Sequence, residues 1–228
     1  MAWYDVRMLE RFVGPAPKWA VRVGVLLISF GAFFVARDVL SPWVQRTFFG
    51  FQDTLAPGPK LFVGHLISWQ GAQTLVAAAL LLVFVRAGLM KGPERPDVRA
   101  SLRWGIGMGL GLSAFTASLW FFVGPGFGVD VNVWKMAGNL FSNFYEELGY
   151  RALLFGAGLV AFRSFWPAAI LGGLAFGLSH QQYPMAFRLI TAGVGVVAAA
   201  AYFRSGSLLA PWIGHQLSDM LLDTFLKT

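Results

Sequence analysis

Long apolar runs, broken by short polar or turn-forming stretches, dominate the chain. A helix that crosses a membrane needs about 20 mainly apolar residues. About seven stretches reach or approach that length: Trp19–Val39, Leu61–Val85, Leu102–Val123, Asn139–Phe162, Phe165–His180, Met185–Phe203 and Leu208–Leu226. The pattern predicts an all-α, polytopic membrane bundle of about seven helices, within a range of about six to eight. The first run lacks a small-residue cleavage site and continues into Arg37-Asp38, so it is read as a span rather than a cleaved signal.

The breaks between runs are legible too. Ser41–Lys60 contains Pro42, Pro57, Gly58 and Pro59; Met90–Ala100 contains Gly92, Pro93 and Pro96; Gly124–Asp130 reads GPGFGVD. Residues 1–18 mix Trp3, Tyr4 and Phe12 with charges, which suits an interfacial segment. The expected organisation is an interfacial stretch over 1–18, amino-terminal membrane helices over 19–138 and a carboxy-terminal helical core over 139–228. Glycines recur at helical spacing at Gly105, Gly107, Gly109 and Gly111, and again at Gly172, Gly173 and Gly177. In lipid such residues let helices approach closely, so they are read as packing devices. No phosphate loop or dinucleotide fingerprint is present.

Composition sharpens the picture. Apolar residues make up 57% and charged residues 13%, where soluble domains carry about 25% charged. Mean hydropathy is +0.61. These values exclude an ordinary soluble enzyme and a disordered chain. With 22 Phe and 9 Trp, aromatic belts are well supplied. Cysteine is absent, which removes thiolate catalysis, disulfides and Cys-held metal centres. The net charge of +7 would suggest nucleic acid in a soluble protein. Here the basic residues lie between apolar runs, so they are assigned to topology and lipid headgroups, and no nucleic-acid partner is expected.

With seven spans, the amino-terminal side holds Arg7, Arg11, Lys18, Arg22, Arg86, Lys91, Arg95, Arg99, Arg103, Arg163 and Arg204. The opposite side holds Arg37, Arg46, Lys60, Lys135, Arg188 and Lys227. The positive-inside rule puts the amino terminus and the Arg86–Arg103 loop in the cytoplasm. The preference for Arg over Lys, with abundant Gly and Ala, suits a high-GC bacterium and hence its cytoplasmic membrane.

Ionisable side chains inside apolar helices cost about 2.5–3.5 kcal/mol each on insertion scales and point to function. The fourth run carries Glu146, Glu147 and Arg151. Glu147 and Arg151 are four apart, share a helix face and can neutralise each other, a structural ion pair. Glu146 is turned about 100° away and points elsewhere. The fifth run ends with Phe176 and His180 on one face; the seventh carries His215 and Asp219 on one face. Asp223, near a helix end, is read as solvated, and His65 as interfacial. Three helices thus bring polar groups to membrane depth, and lipid cannot receive them. One shared internal cavity lined by Glu146, His180, His215 and Asp219 is the economical arrangement.

These residues form EExxxR (Glu146, Glu147, Arg151), FxxxH (Phe176, His180) and HxxxD (His215, Asp219), in that order. The set resembles the CPBP family of intramembrane endopeptidases, the CAAX proteases and bacteriocin-processing enzymes also called Abi proteins. The resemblance covers roughly Asn139–Leu222. It implies hydrolysis of a peptide bond at membrane depth, with Glu146 activating a water, His180 assisting, and His215 and Asp219 stabilising the tetrahedral intermediate or orienting its partners. Glu147, Arg151 and Phe176 would support the site. Two histidines and a carboxylate are also a donor set for zinc; if a metal takes part, its ligands would be Glu146, His180 and His215. The metal-free glutamate route is preferred, since HExxH is absent. Neither a cysteine nor a GxSxG serine is available.

The expected substrate is a membrane-anchored or lipidated protein, with lipids as the surrounding partners. His180 falls at the outer end of its run, so the cavity is expected to open outward. That favours exported proteins with carboxy-terminal sorting or anchor signals over cytoplasmic prenylated proteins. The alternatives are a CAAX-type prenyl-protein protease, a non-catalytic immunity or scaffold protein, and a proton-coupled transporter, the last weakened by the lack of recognisable repeats.

Overall fold

The protein is described from a computed structural model, covering residues 6–48, 50, 54–64, 71–91, 96–124 and 126–226. Regular structure among them is helical: α1 (Val6–Leu9), α2 (Trp19–Val35), α3 (Ser41–Phe48), α4 (Pro57–Val63), α5 (Gly71–Arg86), α6 (Val98–Val123), α7 (Val133–Glu146), α8 (Gly156–Phe162), α9 (Phe165–Ser179), α10 (Met185–Ser205) and α11 (Leu209–Phe225). Two π-helical segments fuse neighbours into longer rods. Ala36–Leu40 joins α2 to α3, and Glu147–Phe155 joins α7 to α8. The all-helical bundle is as the run lengths predict, and the chain is an integral membrane protein. Trp19–Thr47, Val98–Phe122 and Met185–Ser205 are long and apolar enough to cross a membrane, and Gly71–Arg86 and Phe165–Ser179 are shorter apolar helices. Parts of the second run, including His65, lie outside the described residues.

The fourth helix starts at Val133 rather than Asn139, because the Asn132 side chain accepts a hydrogen bond from the Lys135 N–H and caps it. It then runs through the centre of the bundle. Leu153, Leu154, Phe155, Leu159 and Val160 are fully buried, as suits a helix apolar all round. Its far end is closed by two arginines. Arg22 donates to the Val160 and Ala161 carbonyls. Arg163, in the left-handed conformation, donates to Gly14 O at 2.8 Å. The last carbonyls of a helix lack partners and carry partial negative charge, so cations belong there. Leu9, Phe12 and Val13, from the amino-terminal segment, enter the core, where Phe12 stacks on Phe203.

The glycine rows do pack helices, but by face. Gly105 and Gly109 of α6 lie against Ala210, Ile213, Gly214 and Leu217 of α11. Gly173 and Gly177 of α9 lie against Arg188, Ala192 and Val196 of α10. Gly107 and Gly111 have open space where a Cβ would sit. Residues four apart share a helix face, whereas residues two apart do not.

A methyl group at Gly177 would sit 2.2 Å from Arg188 O. Gly177→Ala should therefore destabilise the protein by about 1–3 kcal/mol or more. Gly193→Ala, which meets nothing within 4 Å, should be close to neutral. Thermal unfolding of both variants in detergent distinguishes the two outcomes.

Candidate active site

The polar residues of α7 recur every fourth position: Lys135, Asn139, Asn143 and then Glu147. Those of α11 run antiparallel to them: Asp223, Asp219 and His215. The two rows zip together. Lys135 Nζ lies 2.7 Å from Asp223 Oδ1, and Asn139 donates to Asp223 Oδ2 at 3.0 Å. Asn143 donates to Asp219 Oδ2 at 2.9 Å and to Gln216 Oε1 at 3.2 Å. His215 Nδ1 lies 2.9 Å from Glu147 Oε1. Asp223, expected to be solvated, is thus ion-paired and mostly enclosed. Its partner sits on a helix remote in sequence, which spacing within α11 could not show. Lys135, Asn139, Asn143 and Gln216 were missed as site residues, although the four-residue period along α7 was a signal that could have found the first three.

Glu147 and Arg151 form the expected pair, with Arg151 Nε 2.9 Å from Glu147 Oε2 and side-chain exposures of 0% and 1%. Nη2 donates weakly to Oε1 at 3.4 Å. The guanidinium carbon also lies 4.4 Å from the centroid of the Phe176 ring, a cation–π contact. The Phe176 ring meets Tyr150 at 5.1 Å, His180 at 4.7 Å and His215 at 6.0 Å. Phe176 is therefore the apolar hub around which the three motifs assemble.

The pair sits in a π-helical segment, not in the α-helix that the spacing suggested. Such segments alter the register of side chains and occur at functional sites. Gly149 makes room there: a Cβ would sit 2.5 Å from the Phe33 ring of α2.

His215 faces three carboxylates. Its Nδ1 meets Glu147, while Nε2 is 3.9 Å from Glu146 Oε2 and 3.9 Å from Asp219 Oδ2. His180 caps the end of α9, and its Nδ1 lies 2.8 Å from Phe176 O. A carbonyl only accepts, so Nδ1 carries the hydrogen and Nε2 of the neutral ring is left as an acceptor. Glu146 and His180 line a common cavity of about 210 Å³ together with Arg37, Gln73, Tyr150 and Ser179. His215 and Asp219 are not among the lining residues and reach it through Glu146. Of the four residues expected to share one cavity, Glu146 and His180 line it, while His215 and Asp219 stand behind Glu146 and outside the lining. Arg37 and Gln73 come from helices that carry no motif, and the sequence offered only an isolated cation and an isolated amide in apolar runs.

Among the described residues, no group of three His, Asp or Glu side chains could hold a metal ion. Glu146, His180 and His215 do not converge as a ligand set, and no catalytic step is derived through zinc.

Paired glutamates, two histidines and a buried arginine are thus gathered around one apolar hub inside a membrane bundle. Residues 128–221 match the family model of the type II CAAX prenyl endopeptidase Rce1-like proteins, and this segment holds all three motifs. No curated protein and no solved structure matches the chain.

Removing one partner from a buried ion pair leaves an uncompensated charge, at a cost of about 3–5 kcal/mol. Glu147→Ala should therefore lower thermal stability by that amount. Glu147→Leu combined with Arg151→Met should recover much of it, as a double-mutant cycle in detergent would record.

Proposed function

We propose that the protein is an intramembrane endopeptidase in which Glu146 activates a water against a peptide carbonyl. The reading is supported above all by Glu146 and His180 lining one cavity of about 210 Å³ from two different helices. Glu146 takes a proton as the water oxygen bonds to the carbonyl carbon. His180 Nε2 accepts the other water hydrogen and fixes its direction. When the C–N bond breaks, Glu146 returns the proton to the leaving nitrogen. Such proton transfer contributes about 10²–10⁴-fold.

His215, held at Nδ1 by Glu147, donates from protonated Nε2 to the developing oxyanion. Asp219, fixed by Asn143, holds that ring in place. Weak screening inside the bundle strengthens both interactions. Phe176, Glu147 and Arg151 support these groups. No cofactor is needed for this sequence of steps.

The site lies at the end of the bundle that the charge distribution turns outward, in the cytoplasmic membrane of a bacterium. Its substrates are then exported, membrane-anchored proteins cut near a carboxy-terminal anchor or sorting signal. The family match favours a second reading, in which a lipidated, CAAX-type protein is cut.

Glu146→Gln should lower cleavage by at least about 10²-fold while leaving the protein folded. Mass spectrometry of protein termini in host membranes would show wild-type cleavage sites disappearing. Unchanged termini would refute the protease reading. A reporter fused to the carboxy terminus should be found outside the cytoplasm, and a cytoplasmic reporter would favour the prenyl-protein reading.

A further inference from the structure

A second cavity lies toward the other end of α5. Gln73, in the first turn of that helix, lines the Glu146 cavity, whereas Leu81 and Val85, near its last turn, line a separate space of about 280 Å³. Leu148 and Ala152 of the central π-helical segment form another wall, and Tyr202 of α10 closes a side. The members of each pair are four residues apart, so each pair presents one face about 6 Å long, at ~1.5 Å per residue. Leu148 and Ala152 directly follow Glu147 and Arg151, so this apolar space reaches the depth of the buried ion pair. Its volume equals roughly nine water shares of ~30 Å³, room for part of one acyl chain.

The rim has the opposite character. Arg11 and Lys91 both line it, although they are far apart in sequence. Backbone hydrogen bonds hold their segments together: the Lys91 N–H donates to Phe12 O at 2.9 Å, and the Gly14 N–H to Leu89 O at 3.2 Å. Arg11 Nη1 lies 3.6 Å from where a Cβ on Gly206 would sit, in the turn between α10 and α11. The next residue, Ser207, accepts at Oγ from the Leu209 N–H at 3.1 Å, which leaves its own hydrogen to donate. Both cations are exposed, and neither is in an ion pair among the described residues. Two cations and a hydroxyl above an apolar pocket match an anionic head on an apolar chain. A free phosphate would leave the interior unfilled, and a neutral lipid would leave the cations without a counter-ion. In the orientation proposed above, this end of the bundle faces the cytoplasm, and the cytoplasmic leaflet supplies anionic lipid.

We propose that this cavity binds one anionic phospholipid, with its phosphate on Arg11, Lys91 and the Ser207 hydroxyl and an acyl chain between the Leu81–Val85 and Leu148–Ala152 walls. The chain then packs on the segment that carries the Glu147–Arg151 pair, so the bound lipid stabilises the bundle at its centre. The site shares no lining residue with the Glu146 cavity and does not depend on the protease reading.

The test uses the full chain in a mild detergent, offered equimolar dioleoyl phosphatidylglycerol and dioleoyl phosphatidylcholine, with bound lipid counted by native mass spectrometry. The first lipid bound should be phosphatidylglycerol by about tenfold, as two cations at a membrane surface support. Arg11→Gln together with Lys91→Gln should bring that ratio close to one. Arg99→Gln together with Arg103→Gln removes the same charge from the same side at exposed residues that do not line the cavity, and should leave the ratio as it is. Leu81→Trp fills the apolar part and should abolish the preference although both cations remain; Val85→Phe gives the same reading should Leu81→Trp fail to fold. Phosphatidylglycerol should also raise the unfolding temperature of the wild type and leave that of the Arg11→Gln, Lys91→Gln protein unchanged. Equal binding of the two lipids, or a preference that depends on Arg99 and Arg103 as strongly as on Arg11 and Lys91, would reduce the cations to general surface attraction and overturn the site. A preference that survives filling of the cavity would overturn it as well. Displacement of the phosphatidylglycerol by an equal concentration of glycerol phosphate would assign the rim to a free phosphate ester and remove the lipid.

Discussion

Two opposite charges, Glu147 and Arg151, sit where almost no water reaches, and much of the rest of the site is arranged around that fact. An isolated buried charge is prohibitive, and a buried pair regains its desolvation cost only in part, here with Arg151 Nη1 left without a hydrogen-bond partner among the described residues. Glu147 also meets His215, and Arg151 lies over the face of Phe176. One carboxylate therefore binds α11 to the central helix, and one guanidinium binds α9 to it. Without the pair, α9 would lose its cation–π contact with the fourth helix and α11 the innermost of its polar contacts there.

From that anchor the polar zipper runs outward along α7 and α11. Both helices show four-residue periods, so the contacts repeat once per turn. A column of partnered polar groups thus reaches from the bundle interior to the Lys135–Asp223 pair. It keeps the two helices in one register, because a slip by a turn would misplace every rung. The apolar counterpart lies on other faces. Glycines bring α6 against α11 and α9 against α10 at backbone distance, where packing rather than the hydrophobic effect holds helices together in lipid. The polar zipper orients α11, and the glycine contacts hold it at the right separation.

The two π-helical segments have a common consequence. One carries Arg37 and the other Tyr150, and both residues line the Glu146 cavity. An α-helix that turns uniformly presents each face at fixed intervals. A π segment breaks the interval, so a cation on α2–α3 and a tyrosine on α7–α8 can meet the ends of α5 and α9. The cavity lies where these two π segments meet the start of α5 and the end of α9.

The amino-acid sequence by itself determined the all-helical membrane architecture, the Glu147–Arg151 pair, the Phe176–His180 approach and the His215–Asp219 face. Each is a relation between residues within one helix, or a consequence of apolar run length, and helical periodicity alone expresses it. The likeness to the family model was equally legible, since it rests on short motifs in order. What only the tertiary structure decided concerns contacts between helices. These include the partner of Asp223, the exclusion of His215 and Asp219 from the lining of the Glu146 cavity, the split of the glycine row into packed and open faces, and the entry of Arg37 and Gln73. The π-helical register belongs here as well, because it depends on how the central helix packs against its neighbours, as where Gly149 receives Phe33. Periodicity says which residues share a face, but the neighbour that meets the face is chosen by the packing of the whole bundle.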